Sequence, residues 1–178
     1  MMSGLPLVKS EDPALPFQYV LLESRVAEGP QGLPLVKPPY GRVTAIDLNT
    51  GEHLWVRPSG EGPRDHPALA GLDLPQLGWP SRTFVLRTPS LLFTAQEGPF
   101  EITGLSPRGN ALVFETSSRD PSLRAHNPAT GELIAEIPLP ANASGSPMTY
   151  LVNGTQYIAI PIGGTALRAE LVTLRLRQ

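Results

Sequence analysis

The run AIDLNTGEHLW (residues 45–55) carries a complete turn between two strand-like arms. Upstream, GRVTAIDL (41–48) places Val43, Ala45 and Asp47 on one side and Thr44, Ile46 and Leu48 on the other. That alternation, rich in β-branched residues, predicts a strand. NTGE follows, where Gly51 can take the positive φ that a tight turn asks for. HLWVR (53–57) then returns as the partner strand. The same pattern recurs 80 residues on, in AHNPATGELIA (125–135). Ala45, Thr50, Gly51 and Glu52 fall on Ala125, Thr130, Gly131 and Glu132, Asp47 on Asn127, and Trp55 on Ala135. Asp and Asn both have a short polar side chain that can bond the turn backbone. The second copy lacks the aromatic.

Working outward, RTFVLRT (82–88) and SLLFTA (90–95) read as two strands about TPS, and ALVFET (111–116) as another. MTYLVNGTQYIAI (148–160) is a hairpin whose Asn153-Gly154 suits a type I′ turn. ELVTLRLR (170–177) is a last strand, with Val172, Leu174 and Leu176 alternating with Thr173, Arg175 and Arg177. Residues 58–82 and GPFEITGLSPRGN (98–110) hold too much Pro and Gly for regular structure and read as loops. Residues 1–40 read as irregular, with one strand expected in FQYVLLESRV (17–26). GLPLVK occurs at 4–9 and 32–37, a spacing too short for one hairpin-bearing unit. The expectation is about nine strands and no helix. Recurring hairpins with a Gly and an aromatic per unit point to an all-β fold, a β-propeller. A β-sandwich is the alternative.

Composition agrees and excludes several classes. There are 21 prolines and 17 glycines in 178 residues, which breaks helices and favours short strands. Net charge is −2 and only two lysines are present, so no nucleic-acid surface is implied. Arg168, Arg175 and Arg177 read as solvated outward side chains. No cysteine is present, which removes disulfides, thiolate metal sites and Cys nucleophiles. No basic-then-apolar leader is visible at the N-terminus, and no apolar run is long enough to span a bilayer.

Isolated polar residues offer little catalytic pattern. Asp65-His66 could form an acid–base pair, but no third partner is identifiable and a loop-organising role is favoured. His53 and His126 read as surface strand residues, and three separate histidines make no zinc site. Asn142 and Asn153 fit glycosylation acceptor patterns, the second already explained by its turn. Ser144 and Ser146 lack a nucleophile elbow. Trp55 reads as structural rather than ligand-binding. A buried indole N–H needs an acceptor.

These residues carry a resemblance. Ala45, Asp47, Gly51 and Trp55 follow Ala-x-Asp-x-x-x-Gly-x-x-x-Trp, which resembles the tryptophan-docking repeat of the pyrroloquinoline quinone (PQQ) dehydrogenases. GLPLVKPPYGRVTAIDLNTGEHLW (32–55) and LRAHNPATGELIAEIPLPANASGSPMTYLVNGTQYIAIPIGG (123–164) are similar to the C-terminal portion of the glucose-dehydrogenase branch. The resemblance implies a partial β-propeller, about two to three four-stranded antiparallel blades of an eight-bladed ring, with 1–40 an irregular segment, 41–178 the propeller part and 58–82 its long loop.

The same resemblance implies oxidation of an aldose or alcohol. In that chemistry a Ca²⁺-type ion polarises the PQQ carbonyl, a carboxylate takes the substrate proton and hydride passes to the quinone. The family's catalytic carboxylate and metal ligands match no residue here, so no catalytic or metal-ligating residue is assigned. Gly78 and Trp79, in LGWPSR, match the one stretch near the quinone, and Trp79 stands where the branch usually has a second Gly. PQQ and Ca²⁺ are therefore implied for the family and not expected on this chain alone. The remaining blades are the expected partner, a sugar or alcohol the substrate class, and the periplasm or the periplasmic side of a membrane the place. A non-enzymatic propeller scaffold for protein binding is the alternative.

Overall fold

A computed structural model gives the structure of residues 3–4, 7–9, 18–21, 25–26, 29–98, 100–105, 112–116, 119–164 and 167–175. The fold is all-β, with antiparallel strand pairs throughout. Four short N-terminal strands come first, β1 (Ser3–Gly4), β2 (Leu7–Lys9), β3 (Tyr19–Leu21) and β4 (Arg25–Val26), pairing as β1 with β4 and β2 with β3. Then come β5 (Arg42–Ile46), β6 (His53–Pro58), β7 (Thr83–Arg87), β8 (Leu92–Gln96), β9 (Phe100–Leu105) and β10 (Leu112–Thr116). β11 (Ser122–His126), β12 (Leu133–Pro138), β13 (Met148–Val152), β14 (Thr155–Ile162) and β15 (Glu170–Arg175) follow. The helical content described is two three-residue 3₁₀ turns, Pro30–Gly32 and Pro67–Leu69.

β7, β8, β11 and β12 form one four-stranded sheet in that spatial order. It is flanked by the two-stranded sheet β5–β6 and the three-stranded sheet β13–β14–β15. The two copies of the turn motif fold alike, bond for bond. In the first, Asp47 N–H donates to Glu52 O and Gly51 N–H to Asp47 O (2.9 and 2.7 Å); in the second, Asn127 and Gly131 do the same with Glu132 and Asn127 (both 2.8 Å). Asp47 Oδ1 accepts from Asn49 N–H and Asn127 Oδ1 from Ala129 N–H. Gly51 and Gly131 have φ of 76° and 71°. The strand register slips at the same place in both, after Ala45 and after Ala125. β5–β6 is thus the counterpart of β11–β12, the outer half of a blade.

The central strands are buried on both faces because they are sandwiched. One face of the four-stranded sheet is apolar: Phe93, Ala95, Leu123 and Ala125 pack with Ile160 and Ile162 of β14, with Phe84, Leu86, Ile158, Val172 and Leu174 around them. The opposite face is polar, with Thr94, Gln96 and Arg124 buried on it, and it meets β5–β6.

Several expectations change. Residues 98–110 are expected from composition as a loop, but Phe100–Leu105 is a strand that pairs with β10 as a separate hairpin. Among the described residues β9 pairs with β10 alone, so no second strand depends on Gly104. The strand expected across 17–26 is two short ones, β3 and β4. Against about nine expected strands, fifteen are present among the described residues. The two GLPLVK copies differ: Leu7–Lys9 is a strand, whereas the equivalent 35–37, after the Pro30–Gly32 3₁₀ turn, form no strand, Leu35 and Val36 being bends. Leu176 and Arg177, read as the end of the last strand, lie outside the described residues.

Candidate functional site

Up-and-down strand order sends alternate connections to the same end of the sheets. Among the described residues, 59–82, 97–98, 119–121, 139–147, 163–164 and 167–169 belong to these connections. Ala143 bridges Glu97 and Ile162, and Gly163 N–H donates to Asn142 O.

The 59–82 connection is closed at its root by three backbone bonds. Leu77, Gly78 and Trp79 N–H donate to Glu61, Gly60 and Ser59 O at 2.9, 3.2 and 2.8 Å. Gly78 is buried with φ 69°, and a side chain there would collide with the backbone of Gly41. Backbone-on-backbone packing therefore accounts for that glycine. Trp79 is half-buried. The Arg119 guanidinium sits over its ring at 5.4 Å, a cation–π contact. The Trp79 indole Nε1 is buried and has no hydrogen-bond partner among the described residues.

Around this root lies a polar cluster that sequence patterning does not single out. Gln96 Nε2 donates to Ser59 O at 2.6 Å, and Ser59 Oγ pairs with Thr83 Oγ1 at 2.7 Å. Asn142, only 3 % exposed, accepts from Arg119 N–H at 2.8 Å and donates to Arg119 O at 2.9 Å. Arg124, 4 % exposed, pairs with Asp120 and, at 2.7 Å, with Glu136. Glu61 pairs with Arg64 at 2.6 Å and accepts from Gln76 at 2.8 Å; the Gln76 bond is the main reason its carboxyl is held below the usual range, with Arg64 adding to it. One sequence signal points to the cluster. Arg124 alternates with Leu123 and Ala125 on a strand, and in a blade covered on both sides a charge on the second face must be buried and paired.

The seam between β5–β6 and the four-stranded sheet is a narrow cleft bordered by Trp55, Arg57, Ser59, Thr94, Arg124 and His126. Trp55 Nε1 donates to Pro128 O at 3.1 Å, and Arg57 reaches Thr130 O at 3.3 Å. His126, expected at the surface, is instead half-buried, its Nε2 2.9 Å from Thr94 Oγ1 and its Nδ1 3.3 Å from Gly131 O. Burial pushes its pKa below the usual histidine value. His53 is exposed. His66 Nδ1 accepts from Ala68 N–H at 3.1 Å and caps the Pro67–Leu69 turn, a loop-organising use. Asn142, read only as a glycosylation pattern, is an interior residue; Asn153 has φ 48° in its turn, and Ser144 and Ser146 are exposed.

Among the described residues, no three His, Asp or Glu side chains converge to hold a metal ion. Trp79 offers a ring face and an unspent N–H donor, and Arg119 offers a cation beside it.

Residues 9–158 match the family described as the PQQ glucose/ethanol/alcohol dehydrogenase β-propeller domain. The chain is 36 % identical over 135 residues to the quinoprotein glucose dehydrogenase of Escherichia coli (strain K12), covering 76 % of this chain and 15 % of that protein. It is 38 % identical over 132 residues to the quinoprotein glucose dehydrogenase of Gluconobacter oxydans (strain 621H), covering 74 % and 14 %. The glycerol dehydrogenase large subunit of Gluconobacter thailandicus is 32 % identical over 135 residues, covering 75 % and 16 %. No solved structure matches. The recurring hairpin, the sandwiched four-stranded sheet and these matches agree: the chain belongs to the β-propeller family of PQQ-dependent dehydrogenases.

Proposed function

We propose that this chain forms the C-terminal blades of a PQQ-dependent sugar or alcohol dehydrogenase and turns over substrate only when joined to the remaining blades. The observation that carries this reading is the match to two quinoprotein glucose dehydrogenases across three quarters of the chain but about a seventh of their length. The incomplete sheets support it. β5–β6 has the outer two strands of a blade, and β13–β14–β15 has three. Apolar Met148, Leu151, Val152 and Leu171 are left exposed on the latter. In this reading residues 41–178 are the propeller part and 1–40 precede it. Trp55 docks one blade on the next by its ring and its N–H.

Gly78 and Trp79 lie on the cofactor side. The Trp79 ring and N–H, with the Arg119 guanidinium, would hold the flat, carboxylate-bearing PQQ. Bound PQQ supplies two-electron redox chemistry that no side chain here provides. No three His, Asp or Glu side chains converge among the described residues, so the carboxylate ligands of Ca²⁺ would come from other blades. The periplasmic face of a membrane is the proposed location. No helix among the described residues is long and apolar enough to cross a membrane.

The test is to join the chain to the upstream blades of a quinoprotein glucose dehydrogenase and supply PQQ, Ca²⁺ and a reducible dye. Aldose-dependent dye reduction by the joined protein, absent from this chain alone, is the expected result. A joined, folded ring that neither binds PQQ nor reduces dye would favour the protein-binding scaffold.

A further inference from the structure

We propose that Arg124 is a positioning residue for the loop root carrying Gly78 and Trp79, acting through Asp120; the inference rests on the reading that this root faces the cofactor. The contacts run in one unbroken line. Arg124 Nη2, buried on β11, donates to Asp120 Oδ1. Asp120 Oδ2 accepts from Glu61 N–H at 3.1 Å. Glu61 O in turn accepts from Leu77 N–H, and Gly60 and Ser59 O from Gly78 and Trp79 N–H. One carboxylate therefore joins a strand of the blade to the loop that leaves the preceding sheet.

Two further features show that Asp120 is held rather than merely placed. Its φ is 55°, in the left-handed region that non-glycine residues adopt when the surroundings hold them there. Gly60 lies against it so closely that a Cβ would stand 2.9 Å from Asp120 Oδ2 and 2.5 Å from Gln96 Oε1. Asp120 also adjoins Arg119, whose guanidinium covers the Trp79 ring and whose backbone Asn142 clamps on both its N–H and its C=O. Fixing Asp120 thus fixes the indole from two directions, through the loop root below and through Arg119 above.

The molecule contains its own control. Arg124 also pairs closely with Glu136, on β12, at 2.7 Å. That bond is a cross-strand pair within the blade and reaches no loop. A general loss of blade stability would follow removal of either acid, whereas displacement of Trp79 would follow removal of Asp120 alone.

The experiment uses the full chain labelled with 5-fluorotryptophan. Trp55 and Trp79 are the two tryptophans, so ¹⁹F spectra give two resonances, assigned with Trp55→Phe or, if that variant does not fold, Trp79→Phe. Asp120→Asn keeps the size and tolerates positive φ, but its NH₂ replaces one of the two carboxylate oxygens, so either Arg124 or Glu61 N–H faces a donor instead of an acceptor. Asp120→Asn is expected to shift or broaden the Trp79 resonance and leave Trp55 in place. Arg124→Met is expected to do the same to Trp79, and Glu136→Gln to leave Trp79 unmoved. In the chain joined to the upstream blades, with the Trp79 resonance assigned by Trp79→Phe, titration with PQQ is expected to show about tenfold weaker binding for Asp120→Asn, the scale of one lost hydrogen bond.

An unmoved Trp79 resonance in folded Asp120→Asn, or an equal movement in Glu136→Gln, overturns the positioning role. A wild-type Trp79 resonance that ignores PQQ in the joined, folded protein while Asp120→Asn still displaces it overturns the cofactor reading alone and leaves the positioning role standing.

Discussion

Gly51 and Gly131 have the same turn, the same hydrogen bonds and nearly the same φ, yet different surroundings. Behind Gly51 an added Cβ would meet nothing within 4 Å. Behind Gly131 it would meet Trp55 Cε3 at 2.6 Å. Gly51→Ala should therefore cost only the left-handed backbone penalty, about 1–2 kcal/mol. Gly131→Ala should lose roughly 1–3 kcal/mol more, since it must also push the indole off its seat. Thermal unfolding of the two variants and a blue- or red-shift of Trp55 emission check the difference. A glycine's turn is legible from AIDLNTGEHLW because the turn is local chemistry. What rests on the glycine is not, because Trp55 and Gly131 are far apart along the chain and only the stacked sheets bring them together. His126 shows the same limit: alternation finds its strand but not which face of that strand is covered.

At the scale of elements, alternation finds the strands that have one polar and one apolar side, such as β5, β7 and β15. It fails for Phe100–Leu105 because Gly104 and Pro107 punctuate a stretch that forms a small independent hairpin with β10. Among the described residues β9 and β10 pair only with one another, while β8 pairs directly with β11. Replacing residues 99–117 by a short Gly-Ser linker should leave β8–β11 pairing intact. Shortening a loop changes closure entropy by only about 0.6 kcal/mol per halving, so the unfolding midpoint should hold within a few degrees. A collapse of cooperative unfolding would mean the hairpin braces the blade. The polar cluster at the loop end is largely hidden from sequence reading. Arg119, Asp120 and Asn142 have no periodicity of their own, and Gln96 ends an apolar strand. Gly78 and Trp79 stand out through resemblance rather than through pattern.

At the scale of the whole molecule the two seams differ in kind. Between β5–β6 and the central sheet the contact is polar: Trp55 to Pro128, Arg57 to Thr130 and Gln96 to Ser59, with His126 lining the cleft while it bonds Thr94 and Gly131 of its own sheet. Burial holds the His126 pKa below 6.5, the unfolded reference, so on acidification the unfolded chain takes up the proton first. Stability contributed by neutral His126 is complete above that value and is lost as the pH falls through the folded one. Thermal midpoints should therefore decline below about pH 6.5, and His126→Asn should flatten the decline until the carboxylates titrate. A His126→Asn profile parallel to wild type would remove the histidine from the account.

The other seam, where Phe93 and Leu123 meet Ile160 and Ile162, is built of apolar side chains. Apolar contact of this kind weakens as water cools and is indifferent to protons. The two joints thus answer to different insults. Acid works at the cleft beside β5–β6, chilling on β13–β15, and the central sheet stands as the common hinge post between them.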